Sequence, residues 1–490
     1  MLLLVNSPFC TPASPSYSLT YLYGFLKNNV KLEIEVFDAN LLFHQLKFAS
    51  YGEYFQSLKN ILANKEKLND SSFKASFFED FEKKSNDYKQ TSFRCYSENN
   101  KKIVLGQKPE YFAEVLNAII AKKPKYVAFS VVYFSQAFYT QELIIALKEK
   151  GIKTIVGGPG VTAPLKKYAD YYLENEVLLL ELLKHSEEER KHIEKKDRKE
   201  DNIQQEHIEL DHSKLNVSRI LDFSIWPLAE YFISEPVISL RTSNACYYQQ
   251  CAFCTHHQSA KYLEYKLEDI RDSVITSGVR NVYFSDDMIS TKRLLALAEI
   301  LKPLGVTWTC QLRPTRDLTY DVLKVLYESG LKMIMWGIES GSDRILDIMR
   351  KQTNTNDIAT ILKSSNEAGI VNVAYILFGF PTETKKEFLE TIEFLKDNDR
   401  YIDLVSTTIF GLQKESPMYE TLEQYGINEV HVEKRTVLDP KITYSVSSGL
   451  SHEDVKKLRR GYAKTINNIS KYPASFNFFR EQMLCFVGKS

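Results

Sequence analysis

The sequence predicts an α/β protein: an N-terminal doubly wound (Rossmann-like) parallel-sheet domain, a partial (β/α)6 barrel, and a helical C-terminal tail. Three observations predict it. Short apolar runs alternate with stretches of helical period through most of the 490 residues. Glycines stand just behind several of those stretches, where a left-handed cap ends a helix. A charged break from His185 to Lys214 divides the alternation into two series.

In the first series Leu2–Asn6 reads as a buried strand, Leu19–Lys27 as a helix, and Glu33–Phe37 as a strand running into Asp38-Ala39-Asn40. A polar helical insertion follows over about residues 44–110. Tyr126–Ser130 is the next strand, Gln141–Lys150 a helix stopped by Gly151, and Lys153–Val156 a strand closed by Gly157-Gly158-Pro159-Gly160. Residues 1–184 are therefore read as one domain, with ligands expected at the C-terminal ends of its strands. In the break, 17 of the 30 residues are charged, and its four histidines have no ligand-like pairing. Residues 185–215 are accordingly read as a solvated linker.

The second series is more regular. Strands are expected at Val237–Arg241, Asn281–Phe284, Thr307–Leu312, Met333–Ile338, Asn372–Phe378 and Leu404–Phe410. Helices between them show spacings such as Leu267, Ile270, Val274, and stop at Gly278, Gly305, Gly330 and Gly369. Right-handed crossovers then give an open parallel barrel over 216–429. Residues 430–490 are read as a helical segment whose Lys456, Lys457, Arg459 and Arg460 form a solvated face.

Charge is balanced, with 63 Lys+Arg against 63 Asp+Glu, and 44 % of the residues are hydrophobic. That excludes a disordered chain and a globally basic nucleic-acid binder. No apolar run is long enough for a membrane span, and the start lacks the basic flank of a leader, so a cytoplasmic location is expected. Seven cysteines at low density argue against a disulfide scaffold.

Three of them are bunched in Asn244-Ala245-Cys246-Tyr-Tyr-Gln-Gln-Cys251-Ala-Phe253-Cys254-Thr-His256-His257. Three thiolates from one loop can hold three irons of a cubane cluster and leave the fourth open. On spacing alone, a closed zinc site with His256 or His257 fits as well. Inert buried thiols are a third reading, disfavoured by the Tyr and Gln neighbours. Position favours the catalyst, because the loop directly follows the first barrel strand.

These residues resemble the radical S-adenosylmethionine (SAM) enzymes that carry an N-terminal cobalamin-binding-type domain. The resemblance covers about residues 1–180 and 216–420. Four residues rather than the usual three separate Cys246 from Cys251, and Ala245 stands where the family commonly has glycine. The resemblance implies a [4Fe-4S] cluster on Cys246, Cys251 and Cys254, with Phe253 retained beside it. SAM would be held by Glu339 and Ser340 at the ribose and Gly379 near the adenine. Ser285, Asp286 and Asp287 would face the methionyl ammonium, and Arg313 its carboxylate. Reductive cleavage would give methionine and a 5′-deoxyadenosyl radical that takes hydrogen from a small-molecule or peptide substrate. A one-electron reductant such as flavodoxin or ferredoxin is implied. No RNA-binding add-on module is recognisable, which argues against nucleic acid. Cys310, on the third barrel strand, is read as core filler rather than a working thiol.

Within the first domain, Ser130 and Val132 at a strand end and the pair Gly157-Gly158 resemble cobalamin-contacting positions. The axial-histidine loop of some relatives is replaced by Asn6-Ser7-Pro8-Phe9-Cys10-Thr11-Pro12. With cobalamin, the implied reaction is methylation of an unactivated carbon, with rearrangement or oxygenation as variants. The alternative is a cobalamin-independent radical enzyme acting on a peptide, lipid or RNA. A zinc-stabilised binding protein is the remote one.

Overall fold

A computed structural model of the protein describes residues 1–184, 218–255 and 261–488. The charged linker, residues 185–215, and both His256 and His257 lie outside the described residues. Two compact units emerge, neither drawn from one stretch of chain. Residues 1–52, 91–231 and 435–439 make the first, and 53–90, 232–434 and 440–490 the second.

The first unit is built on a parallel sheet of β1 (Leu2–Asn6), β2 (Ile34–Asp38), β3 (Tyr126–Ser130), β4 (Lys153–Gly157) and the short β5 (Tyr171–Tyr172), in the order β2-β1-β3-β4-β5. Every residue of β1 and β3 is buried, which is why Leu-Leu-Leu-Val and Tyr-Val-Ala-Phe read as unbroken apolar runs. In this order the strand direction of winding reverses between β1 and β3, and ligands of such sheets bind outside the carboxyl ends at that point. Phe9, just past β1, is fully buried against Phe43, Tyr96 and Tyr139, so the loop that replaces the axial-histidine loop is anchored among the helices that carry those rings.

In the second unit β6 (Val237–Leu240), the two-residue β7 (Ser243–Asn244) and β8 (Leu263–Glu264), and β9 (Asn281–Phe284) come first. They are followed by β10 (Thr307–Leu312), β11 (Leu331–Glu339), β12 (Val371–Phe378) and β13 (Leu404–Ile409). Six of these form one all-parallel sheet, β13-β12-β11-β10-β9-β6, with a helix after each crossover. Strand and helix therefore alternate as the sequence predicts, and the end strands β6 and β13 leave the barrel open. Gly330 shows why a helix stops where it does: its φ is +104°, and a Cβ there would stand 1.9 Å from the Val306 carbonyl oxygen.

The C-terminal segment is helical from His452 onward, but it opens with an antiparallel hairpin, β14 (Ile427–Glu433) with β15 (Lys441–Val446). The alternation Val430, Val432 and Ile442, Tyr444 is the period-2 signal for it. Residues 53–90 of the helical insertion pack on the far C-terminus. Phe81 stacks on Phe476 at 4.4 Å and Phe77 on Phe486 at 5.3 Å. The Ser475 amide and hydroxyl both donate to Glu82 Oε2, at 2.9 and 2.8 Å.

Candidate functional site

The cysteine loop leaves the carboxyl end of β6 and is pinned at its base. Ser243 pairs with Glu264 and Asn244 with Leu263, and Asn244 Oδ1 accepts from the Leu263 amide at 2.6 Å. Ala245 and Gln249 both sit at φ +50°, two left-handed residues that coil the backbone around Cys246. Glycine would do this without strain, so the family's usual glycine before the first cysteine has a conformational cause that Ala245 still obeys. Ala252, between the last two cysteines, is fully buried in an apolar cluster with Ile345, Met349, Phe380 and Phe410. Phe253 packs against the same cluster, its ring 6.2 Å from that of Phe380. Hydrophobic anchoring of the two residues between Cys251 and Cys254 thus leaves the thiols half-buried and free of disulfides.

A strap over residues 349–352 is stitched along this loop. The Ala252 amide donates to the Met349 carbonyl at 3.1 Å, and the Tyr248 phenol to the Arg350 carbonyl. Gln352 Nε2 donates to Gln250 Oε1 at 3.1 Å. Arg313, on the turn after β10, donates from Nη1 to the Lys351 carbonyl at 2.7 Å and lies 3.6 Å over the Tyr248 ring. Its Nε is buried with no hydrogen-bond partner, a donor held ready at the mouth of the barrel.

Lys351 is the residue the sequence reading missed. No spacing or motif singles it out, because its placement comes from the strap, where Arg350 (φ +57°) and Gln352 (φ +48°) turn the chain on either side. Its ammonium reaches Glu339 Oε1 at 3.1 Å. Glu339 ends β11 at φ +70°, where the pairing with β12 shifts register between Gly337 and Glu339. A bulge of this kind re-aims a side chain, here the carboxylate expected at the ribose. Burial raises the Cys251 thiol, while Lys351 draws it down, Glu339 and Cys246 push it up and Arg313 draws it down. Cys251, Cys246, Lys351, Glu339 and Arg313 therefore share one electrostatic neighbourhood.

Several expected SAM contacts turn out to be engaged within the protein. Asp286 is buried, and its carboxylate accepts from the amides and hydroxyls of Thr242 and Ser243 at 2.9 Å, so it ties β9 to the start of the cysteine loop. Asp287 pairs with Arg241 at 3.2 Å, and Ser285, exposed, donates to the Leu240 carbonyl. Ser340 is buried against Thr391 and receives the Ser342 amide, which makes it part of the turn after β11. Gly379 (φ +76°) donates its amide to Glu383 Oε2 at 2.6 Å, closing the turn after β12. Cys310 is fully buried and pairs in register with Phe284 and Ile334, as core filler.

At the carboxyl ends of the first sheet, Ser130 Oγ is 2.8 Å from Ser18 Oγ, and the Val132 amide donates to Gln136 Oε1 at 2.8 Å. Gly157 and Gly158 follow β4. A Cβ on Gly158 (φ +108°) would lie 2.5 Å from the Val131 carbonyl oxygen, so backbone approach within the sheet already requires that glycine. Two features at the β1/β3 switch point still suit a large planar ligand. Ser7 Oγ is buried without a hydrogen-bond partner, and the rings of Tyr133 and Phe134 are exposed. The ring of His44 is enclosed and bonded to Tyr96, and burial lowers its pKa to about 3.

Residues 240–395 match the radical SAM superfamily. This is a radical SAM domain. It runs from the last residue of β6 through β12, short of β13, the sixth strand of the sheet, and includes all three loop cysteines. An uncharacterized methyltransferase of Pyrococcus horikoshii is 26 % identical over 257 residues, 50 % of this chain and 54 % of that protein. The chain thus spans about half the length of that relative. The likeness in fold reaches beyond the radical SAM domain to both sheets. TsrM of Kitasatospora setae, a radical SAM methyltransferase solved with cobalamin and a [4Fe-4S] cluster, superposes with a TM-score of 0.60 at 14 % identity, over 96 % of this chain and 88 % of that one. OxsB, a cobalamin-dependent SAM radical enzyme, gives 0.57 at 15 % identity over 94 % and 66 %. Among the described residues no helix is long and apolar enough to cross a membrane.

The donor set of the radical SAM domain fits a cubane cluster in kind. Three free thiols occupy one pinned loop at a strand's carboxyl end, and two cationic side chains beside them offset the charge of thiolates. Among the described residues no three His, Cys, Asp or Glu side chains are already gathered to hold a single metal ion.

Proposed function

We propose that this chain is a cobalamin-dependent radical SAM methyltransferase acting on an unactivated carbon. Cys246, Cys251 and Cys254 would hold three irons of a [4Fe-4S] cluster, leaving one iron to SAM. Loaded, the site supplies a 5′-deoxyadenosyl radical for hydrogen abstraction, and cobalamin supplies a methyl group.

The chain's own residues divide the remaining work. Glu339, aimed by its bulge and held by Lys351, presents a carboxylate suited to two ribose hydroxyls. The buried Nε of Arg313 is a charge-assisted donor for the methionyl carboxylate. Because Asp286 is consumed by Thr242 and Ser243, Asp287 is the carboxylate at that turn for an ammonium, in exchange with Arg241. Ala252 and Phe253 anchor the back of the loop with apolar contacts. In the first unit the β1/β3 switch point, with Ser7, Ser130, Tyr133 and Phe134, would receive cobalamin.

The observation that carries the reading is the pinned three-cysteine loop with Lys351, Glu339 and Arg313 around Cys251. Anaerobic reconstitution with iron and sulfide tests it. The expected product is brown protein with about four irons per chain that releases 5′-deoxyadenosine from SAM under dithionite. Colourless protein with one zinc per chain would overturn the reading. Intact SAM cleavage without retention of hydroxocobalamin would leave a cobalamin-independent radical enzyme.

A further inference from the structure

A polar group inside the barrel has no role in the machinery above. Tyr375 on β12 pairs in register with Gly337 on β11 and Ser406 on β13, so it lies on their face of the sheet. Arg480 opens the last helix, Arg480–Val487. Its guanidinium carbon lies 4.5 Å over the Tyr375 ring, and its Nη2 is 3.4 Å from Ser406 Oγ. The same guanidinium is in hydrogen-bonding range of the Tyr283 phenol on β9, which also reaches Met335 Sδ on β11 at 3.4 Å. Strands β9 and β12 are separated by β10 and β11. A side chain that meets both must lie within the curve of the sheet, in the lumen.

This lumen group is unfinished. Arg480 Nε and Tyr375 Oη are both out of water and without a hydrogen-bond partner. Among the described residues the guanidinium closes no ion pair. Burial raises the carboxyl of the adjacent Glu481, while Arg480 draws it down. A guanidinium pairs side-on with an oxyanion through Nε and one Nη, and a phenol beside it adds a third donor. Tyr375 pairs in register with Gly337, two residues before Glu339, so the group lies beside the strand that carries the proposed ribose carboxylate.

We propose that Arg480 and Tyr375 are the anion-binding end of the substrate chamber, gripping a carboxylate or phosphate group on the molecule to be modified. The assignment rests on the radical SAM reading for the word substrate, but the anion site stands on its own geometry. The C-terminal helix, outside the matched family region, thereby sets which substrates enter the barrel.

The full chain labelled with 15N-arginine tests this by its Nε–Hε resonances. The Arg480 signal is identified by its loss in Arg480→Lys, or in Arg480→Gln should the first variant fail to fold. Acetate and inorganic phosphate are titrated separately, with chloride holding ionic strength constant. A saturable shift of that resonance is expected with at least one anion, and about tenfold weaker binding in Tyr375→Phe. Saturation by acetate alone marks a carboxylate site, and by phosphate alone a phosphate site. No saturable shift with either anion, or equal affinity in Tyr375→Phe, overturns the proposal. SAM cleavage by the reconstituted wild-type chain is measured separately. Anion binding without cleavage sinks the radical SAM reading only, and cleavage without anion binding sinks the anchor only.

Discussion

The ammonium of Lys351 lies 3.1 Å from Glu339 Oε1, with only 6 % and 17 % of the two side chains exposed. The pair joins the strap beside the cysteine loop to the bulged end of β11. Two largely desolvated charges lose most when one is removed, because the survivor stays buried alone.

Lys351→Met should therefore lower stability by about 3 kcal/mol. Adding Glu339→Gln should restore much of that loss, giving a coupling of about 1–3 kcal/mol in a double-mutant cycle. Urea unfolding of the four proteins measures it. Strictly additive losses would mean that the two side chains do not act as a pair.

Ala245→Gly should stabilise the chain by about 1 kcal/mol, since the alanine holds a left-handed φ of +50° that glycine adopts freely. A rise in the thermal midpoint of the unreconstituted protein checks this. A fall would show that the methyl's burial outweighs its backbone strain.

Gly158→Ala tests whether the glycine pair after β4 serves the fold or a ligand. A Cβ 2.5 Å from the Val131 carbonyl oxygen, at φ +108°, should cost more than about 2 kcal/mol with no cobalamin present. Unchanged stability with lost cobalamin retention would assign the glycine to the cofactor instead.

Burial raises the Glu383 carboxyl to about 8, opposed by the Gly379 amide at Oε2. Its folded-state value lies above the ordinary one, so the protonated form is favoured by folding. That contribution is complete below the ordinary carboxylate range and is lost as pH rises through about 8. Glu383→Gln should accordingly flatten the fall in thermal midpoint between about pH 5 and 8. An unaltered slope would place the pH dependence elsewhere.

The six barrel strands were legible because each apolar run is short, bounded and separated by a helix with a glycine stop, as at Thr307–Leu312 and Gly330. The cysteine loop was legible from spacing and position together. Lys351 and Arg480 were not, because each acts through a contact set by tertiary packing: a strap beside β11 and a helix entering the lumen. The engagement of Asp286 within the protein was hidden for a related reason. Sequence shows a carboxylate at a strand end but not that Thr242 and Ser243 already donate to it. The β14–β15 hairpin carries its period-2 signal within a stretch whose charge resembles a helix surface.

The contact between Glu82 and Ser475 spans 393 positions of chain. On the ribosome, at roughly 5–20 residues per second, the aromatic face of residues 53–90 emerges about 20–80 s before Phe476 and Phe486 exist to cover it. Throughout that interval Phe77 and Phe81 have none of their C-terminal partners. Biosynthesis of this protein therefore includes a waiting period, during which that aromatic face stays uncovered by the C-terminus. A stop codon before Phe476 would make that wait permanent.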